Sequence, residues 1–391
     1  MNNIPLHTIP NILDYQITEY QINTSSSFIN NDISIYIHFP FCKTKCTFCP
    51  ISTVVYEENL VNDYIDVLIK EINSKKNILN KLNITCVHFG GGTPSLMNTM
   101  QFNKIINTIS KYANVDDIEI LIEAHPKYTT YKLIEYLSNF KKCTLNFGVQ
   151  SFNDDILFKT NRNYISNDAI KIIEYAKSKL KVIGIDYIAD WDEMTSELVL
   201  EDLEYIKKID VNHISCYPLL KKNKIYNSEK KILLNDIFTS ALLRMGYTRY
   251  SIYHFEKKEC NSHLYGKNQL NGKNWIGFGS NAYSYFNNKL KINQNINNYM
   301  LNYENGLIYN FNEQLTDFWN ICYKIRRIPI DFSINGNSKD EYKNNIEILI
   351  KILKNKFYIE DNEYKLSNLG VINISKVEEI IKEVFLCSKQ I

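Results

Sequence analysis

From Ile33 to Leu220 the chain repeats one unit, a short β-branched run followed by an amphipathic stretch of helical period, and this alternation restricts the fold more than any other feature. The runs "ISIYIHFP" (33–40), "ITCVHFG" (84–90), "IEILIEA" (118–124), "CTLNFGV" (143–149), "KVIGIDYIA" (181–189) and "HISCYPLL" (213–220) are rich in β-branched and apolar residues, as strands covered on both faces of a parallel sheet must be. Between them lie "ENLVNDYIDVLIKEINSKK" (58–76), "MQFNKIINTISKYA" (100–113), "YKLIEYLSNF" (131–140), "SNDAIKIIEYAKSK" (166–179) and "ELVLEDLEYIKKI" (197–209), with apolar residues three and four apart. Six such strands are too few for the closed eight-strand barrel. The expected class is α/β, an open, partial (β/α)6 TIM-like barrel with a smaller, mainly helical C-terminal domain.

This pattern assigns residues 31–222 to the barrel core and 1–30 to an N-terminal extension. After about residue 221 the alternation fades into "KKNKIYNSEKK" (221–231), read as a surface connection. Residues 223–310 are expected to form an irregular, substrate-side region that includes "YHFEKKECNSHLYGKNQLNGKNWIGFGSNAYSYF" (253–286), and 311–391 a helical domain ending in a helix-turn-helix-like cap. The balance of 45 basic and 43 acidic residues, +2 overall, gives no electrostatic reason to expect a nucleic-acid partner. The first thirty residues lack the charged start and apolar core of a leader, and no run reaches the roughly 18 apolar residues of a membrane span. The expectation is a cytoplasmic protein without a transmembrane segment.

Parallel sheets of this kind hold their ligands beyond the carboxyl ends of the strands. Immediately after the first strand, Cys42, Cys46 and Cys49 place three of the nine cysteines in eight positions. In a reducing compartment such a cluster reads as ligands or redox groups. Thiolates ligate iron–sulfur clusters, which take four ligands, so three leave one iron open. Zinc held by these thiols and nearby His38 is the alternative, as is a chance cluster.

"YIHFPFC" (36–42), the Cys-x-x-x-Cys-x-x-Cys loop, "GGGTPS" (90–95), "GVQSF" (148–152) and "GFGSNAYSYF" (277–286) follow one another in this order. The chain thereby resembles the radical S-adenosylmethionine (SAM) superfamily, specifically the branch of oxygen-independent coproporphyrinogen III oxidases and haem chaperones. The resemblance implies a 4Fe–4S cluster on Cys42, Cys46 and Cys49, and SAM on the open iron. It also implies reductive SAM cleavage to a 5′-deoxyadenosyl radical, with electrons from a flavodoxin- or ferredoxin-type donor. It admits a second SAM near residues 277–286.

Carried over residue by residue, the resemblance puts Gly91, Gly92 and Thr93 at the methionine end of SAM, where residues without Cβ let backbone approach closely. Phe48 falls where the family sets an aromatic residue against adenine, and Tyr36 where it has a SAM-contacting tyrosine. Glu123, Gln150, Arg162 and Asp186 match its polar residues around the SAM ribose and carboxylate. Taken singly, a strand-end carboxylate is more often a cap or an ion-pair partner, and an aromatic residue more often core. His38 is read either as ordering the cluster loop or a substrate or as a buried histidine, and the other histidines as structural. The remaining six cysteines are read as core or surface thiols.

The chain departs from the branch at three places. Cys49-Pro50-Ile51 lacks the further cysteine typical of the oxidases, and "HLYGKN" (263–268) keeps only the histidine of the chaperones' His-Asn-x-x-Tyr-Trp stretch. "DYIADW" (186–191) replaces the usual Gly-Leu-Pro continuation. The expected function is SAM-radical chemistry on a tetrapyrrole or similarly large organic substrate. The alternatives are a haem chaperone that binds and transfers haem, and a methyltransferase or cyclopropane-forming enzyme using two SAM molecules.

Overall fold

The computed structural model describes residues 32–219, 228–332, 340–356, 358–359 and 364–387. The expected N-terminal extension and most of the 221–231 connection lie outside these residues.

The six expected strands form as β1 (Asp32–Phe39), β2 (Asn83–Gly91), β3 (Glu119–Ala124), β4 (Cys143–Gln150), β5 (Val182–Tyr187) and β6 (His213–Cys216). They lie side by side in chain order, all parallel, with no crossing of connections. Helices Glu58–Ser74, Thr99–Ile109, Tyr131–Leu137, Ser166–Lys179 and Ser196–Ile209 fill the crossovers. Their apolar stripes, such as Val61, Tyr64, Ile65 and Leu68 of the first, pack on the sheet. Asn98, Thr130 and Thr195 cap three of these helices by accepting a backbone N–H one turn in. Short loops and caps thus leave every β-strand of the core ending on one edge. The last two strands end earlier than the sequence pattern suggests, at Tyr187 and Cys216.

The expectation of an irregular region after residue 223 does not hold. Ser228–Arg244 is a helix of 17 residues, followed by β7 (Tyr247–Arg249), β8 (His254–Lys257), helix Leu264–Leu270, β9 (Trp275–Phe278), β10 (Tyr283–Phe286), β11 (Lys289–Asn293) and β12 (Gly306–Asn310). β9 adds a seventh parallel strand outside β1, with Tyr36 opposite Gly277. β10, β11 and β12 continue antiparallel from it, while β8 and β7 extend the opposite edge beyond β6. Among the described residues the sheet therefore has 12 strands and stays open. Each added strand is only three to five residues long and set among Asn, Gly and Lys, so periodicity along the sequence is too short to reveal it.

Helices Glu313–Lys324, Asp340–Asn355 and Ile374–Leu386 form the expected helical C-terminal region. Their core is continuous with the sheet extension: Trp319 stacks on Trp275 of β9 at 6.2 Å and on Tyr285 of β10 at 5.3 Å. No helix among the described residues is long and apolar enough to cross a membrane.

Candidate functional site

The cysteine loop is pinned at its base. After β1 the chain turns at Pro40, and Phe41–Cys42 pairs in parallel with Val54–Val55. Val54 donates to the Pro40 carbonyl at 2.8 Å and Tyr56 to that of Cys42 at 3.0 Å. The excursion between them leans on the turn after β4, where Thr47 donates to the Thr160 carbonyl and the Asn161 side chain to that of Lys45. Cys42, Cys46 and Cys49 are all free and partly exposed. Cys42 Sγ lies 3.3 Å from Thr93 Oγ1, and Cys46 Sγ accepts from Arg162 Nη1 at 3.4 Å.

The donor set suits a cluster better than a single ion. Among the described residues no group of three His, Cys, Asp or Glu side chains converges as one metal ion requires. An iron–sulfur cluster binds each thiolate through a different iron and needs no such convergence. Burial pushes the Cys42 thiol up to about 11 and raises that of Cys49. Iron ligation displaces that proton, so a cluster would supply the stabilisation of thiolate that the surroundings do not. His38 joins no metal-binding group with these thiols among the described residues; its Nδ1 meets Tyr36 Oη at 3.2 Å, and burial lowers the imidazole to about 4.

The glycine run serves the chain itself. A Cβ on Gly90 would lie 2.7 Å from Glu123 Oε1, one on Gly91 2.6 Å from the His38 ring, and one on Gly92 2.6 Å from the Phe41 carbonyl oxygen. Gly91 also has φ +108°, a conformation that disfavours side chains. The absent side chains therefore let β2 close on the start of the cysteine loop, with Gly92 N donating to Phe39 at 2.7 Å and Thr93 N to Phe41 at 2.8 Å. His38 orders this junction, since its ring fills the space over Gly91.

Around this junction the strand ends supply polar groups. Glu123 accepts from Gly91 N at 3.2 Å and is paired with His88 Nε2 at 2.9 Å. Tyr36 stacks on Tyr265 at 5.4 Å beside His88, facing the barrel interior. Gln150 sits at a bulge between β4 and β5 with φ +74°, an uncommon conformation of the kind that collects at functional sites. Its carbonyl accepts from Ile188 N at 3.0 Å and from Trp191 Nε1 at 3.1 Å. Arg162 is buried and also donates to the Gly148 carbonyl and to Tyr164 Oη. Burial raises Asp186 to about 6, against hydrogen bonds from Asn146 and Ser215. Phe48 packs edge-on against Trp191 at 5.2 Å.

Most of the residues singled out by sequence thus gather in two groups at the carboxyl edge of the sheet, while Phe48 packs on Trp191 and Asp186 bonds Asn146 and Ser215. Cys42, Gly92 and Thr93 join Cys46, Arg162 and Gln150 on the sulfur side, and Tyr36, Gly91 and Glu123 lie together toward the interior. His88, Trp191 and Tyr265 belong beside them and were not singled out. His88, expected to be structural, is the partner of Glu123. Its signal was available: it lies two residues before the glycine run, on an inward-facing position of β2. Tyr265 carried no local signal, because helix Leu264–Leu270 reaches Tyr36 only through tertiary packing.

An open α/β barrel with a three-cysteine loop after its first strand and a glycine turn closing on it defines a radical SAM protein, and residues 36–203 match the radical SAM superfamily. A haem chaperone HemW from Buchnera aphidicola subsp. Schizaphis graminum is 31% identical over 370 residues, covering 90% of each chain. An oxygen-independent coproporphyrinogen III oxidase from Helicobacter pylori (strain 26695) is 26% identical over 281 residues, 65% of this chain and 61% of that one. The structure of coproporphyrinogen III oxidase (HemN) from Escherichia coli superposes with a TM-score of 0.79 over 96% of both chains at 17% identity, which speaks to fold alone. The chain belongs to the radical SAM superfamily, in the family that holds the haem chaperones HemW and the oxygen-independent coproporphyrinogen III oxidases. Membership implies a 4Fe–4S cluster and SAM.

Proposed function

We propose that this protein is an enzyme that uses radical SAM chemistry on a tetrapyrrole or similarly large organic substrate, with electrons from a flavodoxin- or ferredoxin-type donor. The observation that carries this reading is the joining of Cys42 to Thr93 and of Cys46 to Arg162, on the edge where Glu123, Gln150 and Asp186 also end. A cluster on Cys42, Cys46 and Cys49 with SAM beside it would supply a 5′-deoxyadenosyl radical when reduced. In this reading Cys42, Cys46 and Cys49 hold the cluster, and Gly91, Gly92 and Thr93 present backbone and hydroxyl to the methionine end. Phe48, braced by Trp191, offers an apolar face for adenine. Glu123 and Asp186 suit ribose hydroxyls, and Arg162 and Gln150 fix the surrounding loops. Tyr36 and His88 line the interior beyond them.

Haem delivery is a second reading, favoured by the similarity to haem chaperones HemW. Its expected histidine does not favour it. His263 is buried, its ring stacked on His213 at 3.4 Å, with Nε2 bonded to Asn146 and Nδ1 to Ser262.

The test is anaerobic reconstitution, reduction and incubation with SAM and coproporphyrinogen III or haem, followed by mass spectrometry. 5′-Deoxyadenosine together with a decarboxylated, methylated or ring-opened tetrapyrrole supports the enzyme. Absence of SAM cleavage by cluster-loaded protein removes it.

A further inference from the structure

A cleft of about 140 Å³ opens between the end of helix Glu58–Ser74 and strands β9 to β12. Its walls are mainly apolar, with Ile78, Ile276, Phe278 and Ile308, yet Lys75, Lys289 and Lys291 also line it, against one carboxylate, Glu71. We propose that this cleft is a binding site for a small amphipathic carboxylate, its apolar body between Ile276, Phe278 and Ile308 and its anionic end between Lys75 and Lys291.

Three observations support the assignment. The volume matches the roughly 150 Å³ apolar cavity known to admit benzene, so a ring or short branched chain fits and a tetrapyrrole does not. Burial and the Lys75 ammonium lower the Lys291 ammonium below the usual lysine range, outweighing the attraction of Glu71 and Glu304. The carboxylate beside them is committed elsewhere: Glu71 accepts from Gly279 N at 2.8 Å, Asn293 Nδ2 at 2.9 Å and Tyr299 Oη at 2.8 Å. It attracts Lys291 without forming an ion pair with it. Three lysines against one lining carboxylate leave an excess of positive charge beside apolar side chains, which a bound anion offsets. A carboxylate bridging both lysines removes the repulsion while its body leaves water.

The site is separate from the cluster loop, and its ligand need not react. It is coupled to that region by backbone, because Ile276 and Phe278 lie in β9, whose register sets Gly277 opposite Tyr36.

Isothermal titration of the cluster-loaded full-length protein with 3-phenylpropionate tests the proposal, with 3-phenylpropanol as the neutral counterpart. The acid is expected to bind with Kd at or below about 1 mM, and the alcohol about tenfold more weakly. Lys75→Met and Lys291→Met should each weaken the acid by a similar factor, Lys291→Arg should retain it, and Ile308→Trp should abolish it by filling the cleft. Thermal melting checks that each variant is folded. If Lys291→Met does not fold, Lys75→Met, at the exposed helix end, decides. No binding of the acid, equal binding of acid and alcohol, or unchanged binding in the folded lysine variants overturns the site.

Discussion

Arg162 reaches across 116 residues of sequence to donate from Nη1 to the sulfur of Cys46 at 3.4 Å. Its other donors meet the Gly148 carbonyl and, at 3.2 Å, Tyr164 Oη. One buried guanidinium therefore ties the cysteine loop to the bulged end of β4, where Gln150 departs from regular strand geometry. A planar fork with several fixed donors can serve three acceptors at once, which a lysine ammonium on a flexible stem cannot do in the same geometry.

Arg162→Lys is accordingly expected to fold with a loss of about 1–3 kcal/mol, the cost of buried acceptors left without donors. Its cluster occupancy should fall as well, because Cys46 loses its orienting contact. Denaturant unfolding measures the first effect, and iron and sulfide content per chain after reconstitution the second. Wild-type occupancy in the variant would contradict the tie.

Gly92 and Gly266 make a matched pair. A methyl group on Gly92 meets the Phe41 and Phe39 carbonyl oxygens at 2.6 and 2.9 Å, both backbone atoms that cannot swing aside. Gly266, within helix Leu264–Leu270, has nothing within 4 Å of the same position. Gly92→Ala should destabilise by about 1–3 kcal/mol through overpacking and impair cluster assembly. Gly266→Ala should leave stability unchanged or raise it by up to about 1 kcal/mol. Melting temperatures and iron content of the two variants check both.

What the sequence revealed follows the length over which a physical signal repeats. β1 to β6 and their crossover helices were legible because each carries several apolar residues at a constant period, and the strands' parallel order follows from the alternation itself. The cysteine loop was legible because its chemistry is local in sequence. β9 was not, since "WIGF" has four residues and joins β1 only through a contact spanning more than two hundred positions. The same limit hid His88 and Tyr265, whose relation to Glu123 and Tyr36 is made by packing. The glycine run was legible as a place of close backbone approach, but not that Glu123, His38 and Phe41 of the chain itself lie nearest to each missing Cβ, because those contacts are made by packing.

Asp186 makes stability depend on pH. Burial raises its carboxyl from 3.8 to about 6, so the native state keeps a proton over a range in which the unfolded chain has lost it. Native stability from this group is therefore fully present below about pH 4, falls as pH rises through about 6, and is flat above, for a total of about 3 kcal/mol. Asp186→Asn, which cannot ionise, should lack this decline. Urea unfolding of both proteins between pH 5.0 and 7.5 should show the variant gaining relative to wild type as pH rises. Parallel curves would indicate that Asp186 ionises in the fold as it does in the open chain.

His263 distinguishes the two functional readings. It opens helix Leu264–Leu270 with φ +58°, and Glu119 holds it there by accepting from His263 N and Leu264 N, both at 2.7 Å. With both ring nitrogens bonded and the ring buried against His213, the imidazole presents no unengaged nitrogen to an iron porphyrin. Burial also keeps it neutral, well below the usual histidine range. His263→Gln, which retains a polar group toward Asn146, should therefore bind added haem with the same absorption spectrum as wild type, while losing about 1–2 kcal/mol of stability from imperfect replacement of the buried contacts. A loss of the Soret shift in a variant that melts cooperatively would show that helix Leu264–Leu270 opens to expose His263, and would put haem transfer ahead of the enzyme reading.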